Sequence, residues 1–161
     1  MFLVPFYAKI NIRLKFQPRK VEFIMIKIHI GLKGSGKTPK LIQAVNAAID
    51  IEKGNVVCIT EGTRLMHDIS KKARMVNTEG FDVRSMEMFE GLICGIIAQD
   101  YDVTHIFIDS VFKSVPNGTM EDLEVLVANL EKLEEKFNVS FTMMVSAEES
   151  QAGPNVKKYI A

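Results

Sequence analysis

Gly31, Gly34 and Gly36, followed at once by Lys37 and Thr38, make a segment whose residue types could hold an anion with backbone alone. Glycine lacks the Cβ that blocks left-handed backbone angles and close approach, so successive N–H groups can converge on phosphate oxygens. Lys37 adds a mobile ammonium for the outer phosphates, and Thr38 adds a hydroxyl suited to Mg²⁺. A helix starting here would bring its positive end to the same place. Lys33 and Ser35 lie inside the loop, so the expected ligand contacts are Gly31, Lys33, Gly34, Ser35, Gly36, Lys37 and Thr38.

Such a loop works only if a strand delivers it and a helix receives it. Ile26, Ile28 and Ile30 alternate as a strand. After the loop, Leu41, Ile42, Val45, Ala48 and Ile49 recur at helical spacing up to Gly54, and Pro39 falls in the first turn, where its missing donor costs little. A metal-bound phosphate also needs a carboxylate from a neighbouring strand end. The apolar run Val103 to Ile108 ends in Asp109, which is the expected partner of Thr38 on Mg²⁺. In an open α/β sheet, the strand ends along one edge form the ligand crevice. Glu61, after the strand Asn55 to Thr60, is the candidate for orienting a water. Ser146, after the strand Val139 to Val145, is the candidate for contacting a terminal phosphate. Lys37, Glu61 and Asp109 are therefore the expected catalytic set.

The spacing G-x-x-x-x-G-K-T is the Walker A motif, and a hydrophobic strand ending in Asp is Walker B. On GLKGSGKT and HIFID, residues 25 to 146 resemble a P-loop NTPase. The brevity of the chain, its KGSGKT run and its THIFIDS segment are also similar to short P-loop proteins of Gram-positive anaerobes described as twitching-motility ATPase-like. The retraction ATPases themselves are larger two-domain hexamer formers, so the likeness implies nucleotide binding and not motility. It further implies a three-layer α/β fold, mainly parallel, with the loop-bearing strand central and helices on both faces. Many hydrolytic members place Glu after the Walker B Asp; this chain has Ser110. No arginine follows Arg84, which leaves Arg64 and Arg84 as the candidate arginines and argues against a small-molecule kinase. No Asn-Lys-x-Asp selects guanine, so the expected ligands are ATP and Mg²⁺. Hydrolysis is expected to be slow, or to depend on a second copy of the chain or an activating protein; a nucleoside or nucleotide kinase and a non-hydrolysing nucleotide sensor are the alternatives.

Composition agrees with one domain: 161 residues, 47% hydrophobic, with 20 basic and 20 acidic residues. That balance offers no bulk field for nucleic acid or a membrane surface. No apolar stretch approaches the roughly 18 residues needed to span a bilayer. Cys58 and Cys94 form no CxxC pair, so neither a disulfide framework nor a thiolate zinc site is expected, and the cytoplasm is the expected compartment. His29, His67 and His105 lack helical-spacing partners and are read as non-ligands.

Residues 1–24 differ from the rest. They carry Lys9, Arg13, Lys15, Arg19 and Lys20 against Glu22 alone, and residues 9–16 alternate as a half-buried strand. Met25 also makes a natural start for a minimal domain. This basic extension is therefore either an added strand or lies upstream of the true start, and residues 25–161 form the nucleotide-binding domain. Apolar stripes at Met86, Phe89, Ile93, Ile96 and Ile97, and at Leu123, Leu126, Leu130, Leu133 and Phe137, predict two further helices, the second opened by Thr119 and Asp122 as a capping pair. Residues Met86, Met88, Met143 and Met144 are expected in the core, and Ser150 to Asn155 is expected to be a linker.

Overall fold

Alternation places Ile26 and Ile28 in the core while Lys27 faces water, and these residues form β1 (Ile26–Ile30). The computed structural model describes residues 25–161; the expected strand at 9–16 and the turn after it lie outside them. From β1 the chain runs through α1 (Lys37–Ile51), β2 (Asn55–Thr60), β3 (Arg74–Asn77), α2 (Met86–Gln99), β4 (Val103–Ile108), α3 (Val111–Ser114), α4 (Met120–Phe137), β5 (Ser140–Val145) and α5 (Pro154–Lys157). The five strands form one all-parallel sheet in the order β1-β5-β4-β2-β3.

Period-two alternation sorts the strand side chains onto two faces. Ile28, Ile106, Phe141 and Met143 meet the apolar stripes of α2 and α4 on one face. Val56, Cys58, Phe107 and Met144 meet Leu41, Val45 and Ala48 of α1 on the other. The result is the expected three-layer α/β architecture, with helices on both faces. Local chemistry starts the two long helices of the first face. The Ser85 hydroxyl accepts from the Met88 amide at 3.2 Å. Thr119 and Asp122 exchange bonds of 2.9 and 3.1 Å, which is the expected capping box.

Several expectations are corrected. Among the described residues the loop-bearing strand is not central: β1 stands at the edge of the five strands, because β5 inserts between it and β4. On its outer side, Ile28 donates to the Tyr159 carbonyl at 2.8 Å and accepts from the Ala161 amide at 3.0 Å. Gly54 is not the residue that stops α1, which already ends at Ile51. A Cβ on Gly54 would stand 2.2 Å from the Asp102 carbonyl oxygen, so glycine is required by the close approach of the chains entering β2 and β4. The expected linker is structured: Glu149–Gln151 form a 3₁₀ turn and α5 starts at Pro154. The Glu124 carboxylate of α4 accepts from the Asn155 and Val156 amides at 2.8 and 3.0 Å, and Val156 is fully buried. Met88 lies on the outer side of α2 and is 48% exposed, unlike the buried Met86, Met143 and Met144.

Both described cysteines are free, and burial pushes the Cys58 thiol up to about 12. Among the described residues, no helix is long and apolar enough to cross a membrane.

His105 sits on the α1 face, stacked on Phe107 with ring centroids 4.0 Å apart. It is bonded to Thr142 Oγ1 at 2.8 Å and Glu52 Oε1 at 3.2 Å. Burial lowers its pKa; Glu52 opposes this, and Lys27 adds to it. His29 is lowered for the same first reason. A histidine whose folded pKa lies below its unfolded value of 6.5 binds fewer protons in the native state. Stability therefore falls as pH drops through about 6.5 toward the folded value. Denaturation midpoints measured from pH 7.5 to 5.5 are expected to decrease, and His105→Gln is expected to flatten the slope. An unchanged slope in that variant would assign the effect elsewhere.

Candidate functional site

The carboxyl ends of all five strands lie on one sheet edge, since every pair is parallel. At the end of β1, the Gly31 amide donates to the Val145 carbonyl at 3.1 Å, anchoring the loop to β5. The Ser35 amide then closes a turn on the Leu32 carbonyl at 3.2 Å. Gly34 and Gly36 have φ of 86° and 83°, the left-handed region that costs an L-residue roughly 1–2 kcal/mol. Gly36 is the N-cap of α1 and brings no side-chain cap. The first-turn amides of a 15-residue helix are thus left without a side-chain acceptor, and Pro39 removes one donor from that group.

The Lys37 ammonium curls over the loop, donating to the Gly31 carbonyl at 2.6 Å, the Leu32 carbonyl at 2.7 Å and Ser35 Oγ at 3.0 Å. Burial lowers its pKa, the Asp109 carboxylate pulls it back up, and Lys113 lowers it further. Lys37 thus feels two charges borne just beyond β4. Asp109 continues the His105 and Phe107 side of β4, the face that α1 covers, and is 6% exposed. Its amide donates to the Ile59 carbonyl at 2.9 Å, and its carboxylate accepts from the Ser110 hydroxyl at 3.3 Å. Ser110 holds φ 46° and ψ 71°, a left-handed conformation unusual for serine and kept by its buried setting.

The structure brings together only part of the expected set. The loop Gly31, Lys33, Gly34, Ser35 and Gly36 joins Lys37 and the half-buried Thr38, with Asp109 on the same sheet edge two strands away. Ser146 is exposed at the end of β5, the strand between the loop and Asp109. Glu61 is exposed beyond β2, three strand spacings from β1, about 14 Å along the sheet. Arg64 is exposed on the 61–73 segment. Arg84 is bound to its neighbour Asp82, both largely exposed.

The donor types fit a Mg²⁺-bound polyphosphate. Thr38 and Asp109 offer hard oxygen ligands, while the uncapped helix start and Lys37 offer N–H groups and positive charge. Among the described residues, no cluster of three or more His, Cys, Asp or Glu could hold a metal alone. A cation at Thr38 and Asp109 would therefore complete its shell with phosphate and water, as Mg²⁺ commonly does. A separate surface hollow of about 360 Å³, lined by Asn46, His67, Asp68 and Lys71, lies beside α1. Asn46 spans it, donating to the Asp68 carbonyl at 3.0 Å and accepting from the Ser70 amide at 2.9 Å, so its polar groups are already paired.

No protein-family model matches the sequence, and no curated protein matches it.

Proposed function

We propose that the protein binds a nucleoside triphosphate, ATP foremost, together with Mg²⁺, and hydrolyses it slowly or only with a partner. The observation that carries this reading is a glycine loop that ends in a helix start no side chain caps, on the same sheet edge as Asp109, with only β5 between their strands. In this reading the loop amides and Lys37 hold the β and γ phosphates, and Thr38 and Asp109 hold the metal. A bound Mg²⁺ would neutralise charge shared between those phosphates. Ser146 would meet the terminal phosphate from the end of β5. Glu61 would need to reach past two strands to orient a water, which is the reason to expect slow turnover from the chain alone.

One observation favours a second reading, a nucleotide sensor that does not hydrolyse. The residue after Asp109 is a serine, and its hydroxyl is already engaged with the Asp109 carboxylate. Calorimetry of ATP and ADP with and without Mg²⁺, followed by phosphate release, tests both. Wild type is expected to bind ATP more tightly with Mg²⁺. Asp109→Asn should retain metal-free binding and lose most of the Mg²⁺ gain, a difference of about tenfold or more for one charge-assisted contact. Absence of ATP binding by wild type under either condition removes both readings. Binding without phosphate release under any partner selects the sensor.

A further inference from the structure

A lysine ammonium has three N–H donors, and the loop supplies Lys37 with three acceptors: the Gly31 carbonyl at 2.6 Å, the Leu32 carbonyl at 2.7 Å and Ser35 Oγ at 3.0 Å. The Ser35 amide is turned to the Leu32 carbonyl as well, at 3.2 Å. Its side chain folds back over the start of the loop, since a Cβ on Gly31 would stand 2.7 Å from Ser35 Oγ. Gly31, Leu32, Ser35 and Lys37 therefore close the loop on itself. In this conformation a phosphate oxygen reaches a Lys37 N–H only by displacing one of the three acceptors.

The three differ in how readily they yield. The two carbonyls belong to backbone that other bonds fix: the Gly31 amide donates to the Val145 carbonyl at 3.1 Å, and the Leu32 carbonyl also takes the Ser35 amide. Ser35 Oγ makes the longest of the three contacts, belongs to an exposed residue and hangs from one rotatable bond, so it can turn away without moving the backbone. A phosphate oxygen carries negative charge where the hydroxyl carries none, which makes it the stronger acceptor for an ammonium.

We infer that Ser35 is a competing acceptor built into the loop: its hydroxyl occupies the Lys37 donor that a phosphate takes, and so weakens nucleotide binding rather than contributing to it. Ser35 is thus a positioning residue that acts through Lys37. The inference rests on the triphosphate-binding reading above and reverses the role of the Ser35 side chain, which sequence alone places among the ligand contacts.

The test is calorimetry of ATP with Mg²⁺ on wild type, Ser35→Ala, Lys37→Met and the double variant. Ser35→Ala is expected to bind ATP about 2- to 10-fold more tightly, the range of one hydrogen bond's net contribution. In the Lys37→Met background the same change should bring no gain, because the donor it releases is no longer there. If wild type binds ATP and Ser35→Ala leaves the affinity unaltered or weakens it, or if its gain persists without Lys37, the competing role is overturned and nucleotide binding survives. If neither wild type nor Ser35→Ala binds ATP, the parent reading and this inference fall together.

Discussion

Lys37→Ala is expected to weaken triphosphate binding by about 10²- to 10⁴-fold. A lysine over the loop makes up to two charge-assisted contacts to phosphate, each contributing roughly 1.5–3 kcal/mol, and 1.4 kcal/mol is a factor of ten. The free protein loses much less. Lys37 is half-exposed, and its three bonds run to the Gly31 and Leu32 carbonyls and Ser35 Oγ, all within the loop it surmounts. The apolar contacts of α1, through Leu41, Val45 and Ala48, do not involve it. ATP calorimetry alongside a denaturation curve separates the two effects. Retained affinity within threefold would show that the loop does not hold phosphate through this ammonium.

Phe141→Ala is expected to cost about 3–5 kcal/mol of stability, the usual penalty for emptying a buried aromatic site. Against a total of roughly 5–15 kcal/mol, that loss brings the domain close to unfolding. Phe141 is 0% exposed in β5, in register with Ile26 of β1 and Ile106 of β4. The strand it stabilises is the one separating the glycine loop from Asp109, so destabilising β5 also loosens their relative placement. Equilibrium urea denaturation should move the midpoint with little change in slope. A loss below about 1 kcal/mol would contradict close packing of this face against α2 and α4.

The elements that sequence periodicity predicted are those whose causes are local. β2 and β4 span Asn55–Thr60 and Val103–Ile108, the bounds expected of them. α2 and α4 open at Ser85 and Thr119, because each cap is a bond between residues three apart. β3 left no such mark: Arg74–Asn77 is four residues long, partly exposed, and paired only with β2. The α5 segment read as a linker because Glu124, which accepts its first amides, lies some 30 positions earlier in the chain.

Asp109, Ser146 and Glu61 carry the same sequence signature, a polar residue at the end of an apolar strand. Only the lateral order β1-β5-β4-β2-β3 tells them apart, setting Ser146 one strand, Asp109 two strands and Glu61 three strands from the loop-bearing β1. The residues alone determined the glycine loop, the helix that follows it and the two-faced strands, since these arise from backbone permission, capping and alternation among near neighbours. Strand order, the edge position of β1 among the described strands and the distance of Asp109 from the loop were decided only in the tertiary structure. Pairing between distant strands depends on how whole helical faces bury against the sheet, and no short stretch of chain encodes that.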